Sequence, residues 1–278
     1  MNRQSPLRRL FRYRNALLGG AIILTLVTMV TCAPWVAPYD PLEADLTRAL
    51  RPPGGEFLLG TDEQGRDLFS RLVWGGRLSL LAGVSAIGLA LVLGTATGAL
   101  SAYFGGWLDL LVMRVMDIML AFPSILLAIA ITAILGPGLG NAILAVAVVN
   151  IPYFARLVRA SVLSIKEQEY VLAAEALGAG HLRILAGHVL PNALAPLIVQ
   201  ATLGLGWALL DIAGLSFLGL GARPPDPEWG SMLSRAQAYI QVAPWVVTFP
   251  GLAIMVAVLG FNLLGDGLRD ALDPRLRR

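Results

Sequence analysis

Long apolar runs alternate with short polar segments along the whole chain. Six runs stand out, at roughly 16–37, 79–102, 111–135, 139–160, 193–219 and 244–265. Each is close to the roughly 20 residues that a helix needs to cross hydrocarbon. The pattern therefore predicts an all-α polytopic membrane protein with six transmembrane helices. The first run ends at Pro34 and Pro38. The second, LSLLAGVSAIGLALVLGTATGALSA, is rich in Gly, Ala, Ser and Thr. Small residues let helix backbones approach in lipid, so this helix is expected in the middle of the bundle.

The polar segments differ in character. Residues 39–78 form an external loop rich in Pro and Gly as far as Gly60. DEQGRDLFSRLVWGGRLSL then reads as an amphipathic helix leading into the second span. Leu68, Leu72 and Val73 fall on one side, with Arg66, Asp67 and Arg71 on the other. A second external segment, GLGARPPDPEWGSMLSRAQAYIQVAP, follows span five. Its Pro224, Pro225 and Pro227 stop that helix. Trp229 and Trp245 suit the membrane–water interface.

The segment 161–192 between spans four and five is unlike a simple connection. LSIKEQEYVLAAEALG predicts a helix whose apolar face is Tyr170, Ala173, Ala174 and Leu177, at i, i+3, i+4, i+7 spacing. Lys166, Glu167, Glu169 and Glu175 lie mostly elsewhere. Gly178 and Gly180 permit a sharp joint. A second short helix, HLRILAGHVL, then ends at Pro191. The small residues at 173, 174 and 178 would let another protein approach closely. The plainer alternative is a connection that caps the bundle.

Composition supports lipid as the solvent. The chain of 278 residues is 56% hydrophobic and 14% charged, against about 25% charged in soluble domains. Its mean hydropathy is +0.71. Arg3, Arg8, Arg9, Arg12 and Arg14 precede the first run. That run reads as a retained helix, with a secretory signal as the alternative. With the N-terminus inside, fourteen of the 21 basic residues, Arg114 included, fall on the cytoplasmic side. The positive-inside rule then places the N-terminus, residues 161–192 and the C-terminus in the cytoplasm. No basic stripe for nucleic acid is present. Cys32 stands alone, and His181 and His188 are too few for a metal site.

Charged residues near the membrane are candidate chemistry. Arg114 and Asp117 are three apart on one helical face, where they can pair structurally or act as a gate. Arg156 and Arg159 are expected to anchor span four at the headgroups. Asp211 lies deep in span five and should face the bundle or a wet cavity. It is a candidate pathway residue, or else a hydrogen-bonded packing position. Lys166, the chain's one lysine, follows Ile165, so no Gly-x4-Gly-Lys-Ser/Thr phosphate loop exists. An intramembrane enzyme lacks its catalytic set. A proton-driven transporter would want inverted repeats and several buried carboxylates.

The segment from Leu172 to Pro191 resembles the EAA loop of ABC-importer permeases, EAA-x3-G-x9-I-x-LP. Ala173, Ala174, Gly178, Leu190 and Pro191 match in register. Leu172 replaces the first Glu, and His188 replaces the Ile. The stretches LGTDEQGRDLFSRLVWGGRLSL, RVMDIMLAFPSILLAIA, LSFLGLGARPPDPEWG and FNLLGDGLRDALDPRLR are similar to the dipeptide/oligopeptide/nickel branch, and specifically to its C-type subunit.

The resemblance implies a type I ABC importer permease fold. A tail, first helix and external loop would occupy 1–78, a core permease domain 79–266 and a cytoplasmic tail 267–278. The chain would form half of a pathway for dipeptides or oligopeptides, or alternatively for nickel or glutathione. Its partners would be a second permease subunit in a heterodimer, two ATP-binding subunits and an external solute-binding protein. That protein would dock near Glu228 and Trp229, although those residues equally suit a plain rigid turn. ATP and Mg would be used by the partner subunits, with no cofactor on this chain. The coupling contacts would be Glu169, Tyr170, Leu172, Ala173, Ala174, Gly178, Leu190 and Pro191. The setting would be a bacterial or archaeal plasma membrane.

Overall fold

The computed structural model describes residues 13–272. Residues 1–12, with Arg3, Arg8, Arg9 and Arg12, and 273–278 at the end of the expected tail lie outside the described residues. The described chain is helical, with two isolated bridges, Gly54 to Phe57 and Thr61 to Asp67. Besides a single helical turn at Ala33–Val36, the α-helices are α1 (Arg14–Thr31), α2 (Leu68–Phe104), α3 (Gly106–Ala121), α4 (Ser124–Leu135), α5 (Leu139–Ile165), α6 (Glu169–Ala176), α7 (His181–Ile184), α8 (Leu190–Phe217), α9 (Trp229–Ala236) and α10 (Trp245–Leu272).

Among the described residues, five helices are long and apolar enough to cross a membrane, and α3 with α4 makes a sixth if the pair counts as one span. Three elements differ from the pattern-based expectation. First, the amphipathic segment and second span are one helix of 37 residues, about 55 Å long at 1.5 Å per residue. It therefore projects well beyond a hydrocarbon layer of about 30 Å. The Asp67 carboxylate starts it by accepting from Ser70 N at 2.8 Å and Ser70 Oγ at 2.6 Å.

Second, the expected span 111–135 is not one helix. It bends by 98° between Ala121 and Ser124. Phe122 precedes Pro123 and is extended (φ −92°, ψ 141°), because the proline ring disfavours helical backbone in the residue before it. Third, the short helix 181–190 does not stop at Pro191. It passes through a π-helical turn, Leu185–Val189, directly into α8. Pro191 falls in the first turn of α8, where a missing N–H costs little.

Helix α2 packs most extensively on α5. A Cβ added at Gly98 would lie 2.2 Å from the Ala155 carbonyl oxygen, and one at Gly94 would lie 2.6 Å from Phe154 Cβ. The small-residue pattern read in span two is thus a backbone-to-backbone contact, with Ala86, Ala90, Ala145 and Ala147 filling the shared core. Helix α10 packs against α1 and α8.

The external side carries a second core in which the sequence reading is corrected twice. Arg66, Asp67 and Arg71 do not form a solvated face. The two arginines are each 2% exposed and Asp67 is buried with them. Asp62 lies between the guanidinium groups, with Oδ2 at 2.7 Å from Arg66 Nε and 3.2 Å from Arg71 Nε. Glu63 continues the cluster to Arg66 and to Arg235 of α9.

Glu228 and Trp229 are likewise interior, and Trp229 is 1% exposed. Its Nε1 donates to the Leu72 carbonyl at 2.9 Å, so it is no interface tryptophan. Trp245 Nε1 turns inward too, donating to Thr61 O at 3.3 Å. The Glu228 carboxylate caps α9. It accepts from Gly230 N at 2.9 Å, Ser231 N at 2.8 Å and Ser79 Oγ at 3.2 Å. Burial pushes this carboxyl up from its ordinary range, and the Gly230 and Ser231 amides oppose that shift. Replacing Glu228 with alanine strands these buried donors. The expected loss is about 1–3 kcal/mol, read as a lower unfolding temperature in detergent, with Glu228→Gln in between.

Candidate coupling site

Helix α6 begins after Gln168, whose side chain makes no cap hydrogen bond. It ends at Gly178, which adopts φ +81°, a left-handed backbone that glycine takes without cost. Gly178 N donates to Glu175 O at 2.9 Å and Ala179 N to Ala174 O at 3.0 Å, closing the turn. One residue of α6, Val171, is buried, against the core that also holds Ile184 and Leu185. Tyr170 is exposed, Leu172 is 52% exposed and Leu177 is 87% exposed. Glu169, Ala173, Gly178 and Pro191 are exposed as well, while Ala174 and Leu190 are half-buried. Of the expected face, Tyr170, Ala173 and Leu177 are therefore exposed and Ala174 is half-buried, while Leu172 is exposed on another side of the helix.

The knuckle formed by α6 and α7 is tied to two long helices. Asn192 Nδ2 of α8 donates to the Tyr170 hydroxyl at 3.1 Å and to His188 O at 2.7 Å. Tyr103 OH at the end of α2 is hydrogen-bonded to His181 Nδ1 at 3.1 Å. Helix α6 is thus tied to α8 through Tyr170, and α7 to α2 through His181. Beside it lies a cavity of about 440 Å³ bounded by Tyr103, Phe104, Leu172 and Glu175. The sequence reading missed the anchors Tyr103 and Asn192. Asn192 directly follows the matched Pro191, and that adjacency is the one signal it carried.

The expected Arg114–Asp117 pair is not formed. Asp117 pairs with Arg156 across to α5. About two helical turns from Asp117, Asp109 takes Arg159 bidentately, with Nε to Oδ1 at 2.8 Å and Nη2 to Oδ2 at 2.6 Å. Arg156 and Arg159 therefore join α5 to α3 through two carboxylates, partners that the sequence reading did not give them. A guanidinium on a facing helix can meet a carboxylate fork end on, which an i, i+3 neighbour on the same helix does less well. Asp211 is half-buried on α8 and has no charged partner among the described residues.

Helices long and apolar enough to cross a membrane, with an exposed apolar knuckle between two of them, define a polytopic membrane protein. Residues 69–278 match the family described as binding-protein-dependent transport system inner membrane component, and residues 4–53 match the N-terminal TM domain of oligopeptide transport permease C. The chain belongs to this family of binding-protein-dependent transport system inner membrane components. It is 52% identical to the dipeptide transport system permease protein DppC of Alkalihalophilus pseudofirmus, over 98% of this chain and 91% of that protein. It is also 52% identical to the di/tripeptide transport system permease protein DppC of Pseudomonas aeruginosa, over 98% and 93%. Identity to the glutathione transport system permease protein GsiD of Pectobacterium atrosepticum is 45%, over 97% and 90%. This chain is a multi-pass permease component of a transport system and not itself an enzyme.

Proposed function

We propose that the chain forms half of the translocation pathway of an ATP-driven importer of dipeptides and short peptides, and that α6 is the lever through which ATPase subunits move it. The exposed apolar side chains of α6 and its C-terminal turn carry this reading, because Leu172 is 52% and Leu177 87% exposed. The names of the relatives support the cargo class. Glutathione is the second reading, from the relative at 45% identity. The partners in this reading are a second permease subunit in a heterodimer, two ATP-binding subunits that use ATP and Mg, and an external solute-binding protein. Both termini and residues 161–192 face the cytoplasm.

In operation, closure of the ATPase pair displaces α6. The Asn192 and Tyr103 anchors pass the movement to α8 and α2. The bundle then exchanges between two packings that open to opposite sides of the membrane.

The test is the double replacement of Leu172 and Leu177 by glutamate. Both side chains are solvated, so membrane levels should stay at those of the parent. ATP-dependent dipeptide uptake should fall at least about tenfold, the factor that corresponds to about 1.4 kcal/mol of lost docking, and ATPase subunits should no longer co-purify. Full uptake by this variant, or uptake indifferent to ATP depletion, would refute the proposal.

A further inference from the structure

Helix α8 has two unlike faces. Gly204, Ala208, Ile212 and Leu215 are buried against the bundle. On the uncovered face stand Gln200, Trp207 and Asp211, at steps of seven and four that keep them in one stripe. Trp207 is 65% exposed. Toward the cytoplasm the stripe continues to Asn192 and opens into a groove of about 570 Å³ that includes Gln200 and Arg269. Asn192 to Asp211 is about 28 Å along a helix axis, close to the full hydrocarbon thickness of about 30 Å. Asn192, Gln200 and Asp211 thus set polar side chains at three depths across the bilayer on one side of α8, with Leu157 of α5 and Arg269 of α10 walling the groove at the inner end.

A carboxylate turned to lipid is expensive, so this face must meet water, a ligand or an opposite charge. The order of groups along it is an anion at the outer end, amide side chains between, and a cation at the inner mouth. An extended peptide presents a cationic amine, amide hydrogen-bonding groups and a carboxylate. We propose that this stripe is the cargo-contacting wall of the pathway and that Asp211 receives the α-ammonium group of a passing peptide, with the Trp207 ring one turn away against the same cation. This rests on the peptide-importer reading above. The competing occupant is the second permease subunit, which would seal the face and place its own group on Asp211.

The experiment uses the complete transporter with Cys32→Ser as background. Radiolabelled dialanine is the probe. Asp211→Asn should lower uptake at least tenfold, and Asp211→Glu should retain most of it. In the Asp211→Cys variant, water-borne thiosulfonates should react. An attached sulfonate should restore uptake and an attached quaternary ammonium should not. Dialanine-loaded binding protein should slow the labelling several-fold. Unchanged uptake in Asp211→Asn, an unreactive thiol, equal effects of the two reagents, or no protection by cargo each overturns the assignment. If Asp211→Asn does not accumulate, the labelling arm decides. Uptake that ignores ATP depletion defeats the importer reading. ATP dependence with a silent Asp211 defeats this inference alone.

Discussion

Replacing Asp62 with alanine should destabilise the protein by about 3–5 kcal/mol, the cost of leaving a buried charge without its partner. Asp62 is where four donors meet. Its Oδ1 accepts from Gln64 N at 2.9 Å and Arg66 N at 3.0 Å. Its Oδ2 accepts from Arg66 Nε at 2.7 Å and lies 3.2 Å from Arg71 Nε. Both guanidinium groups are almost fully enclosed, so removing the anion leaves Arg71 without a carboxylate and Arg66 with Glu63 alone. Glu63 cannot take over, because it already lies between Arg66 and Arg235. The consequence extends beyond the loop. Arg71 Nη1 also donates to Pro41 O at 2.8 Å, so the cluster fastens the external loop to the start of α2. The variant should show low membrane abundance and an unfolding temperature in detergent many degrees below the parent. Asp62→Asn keeps the shape and should fall between. The exposed pair of Arg48 with Asp45 is the control, since Arg48→Ala should cost no more than about 1 kcal/mol. Equal unfolding temperatures for Asp62→Ala and Arg48→Ala would show that the cluster carries no special weight.

Gly98→Leu should be the second most damaging change. A Cβ at Gly98 would meet Ala155 backbone on three sides, at 2.2 Å from the carbonyl oxygen and 2.8 Å from both C and Cα. These are main-chain atoms in the middle of α5, so no rotamer change can relieve the overlap. Helices α2 and α5 must separate, and the surrounding alanine core loses its contacts. Overpacking of this kind costs typically 1–3 kcal/mol, and the upper end is expected because backbone meets backbone. Gly88, on the same helix, has nothing within 4 Å of an added Cβ. Gly88→Leu should therefore insert and fold normally. The two variants differ by ten positions on one helix and not in chemistry, so thermal unfolding in detergent isolates the packing effect. Matching stability in the two would contradict a close α2–α5 contact.

Particular residues show why the sequence was readable in some places and closed in others. Gly178 was legible as a joint, since a left-handed turn after a helix favours glycine whatever surrounds it. Pro123 stands inside the run 111–135 that the pattern joined into one span, and the 98° bend there was not legible from hydrophobicity. Asp117 was misassigned to Arg114 because the near partner on the same helix was visible and Arg156, 39 residues away, was not. Arg66 and Arg71 looked like the wet side of an amphipathic helix. Their alternation fitted that reading, and only the carboxylates of Asp62 and Glu63 folded against them make burial tolerable. Tyr103 and Asn192 anchor the knuckle from helices that the pattern kept apart.

By itself the sequence determined the solvent of each segment: which stretches cross lipid, which stay in water, and where the glycines and prolines interrupt them. Those are properties of a residue and its immediate neighbours, set by transfer from water and by backbone sterics. The tertiary structure alone decided which charges neutralise one another, which face of α8 is left uncovered, and that Glu228 and Trp229 are interior. Each of these depends on elements far apart in the chain meeting in space, as Trp229 meets Leu72 157 residues away, and on the cost of burying a polar group unless its partner arrives with it.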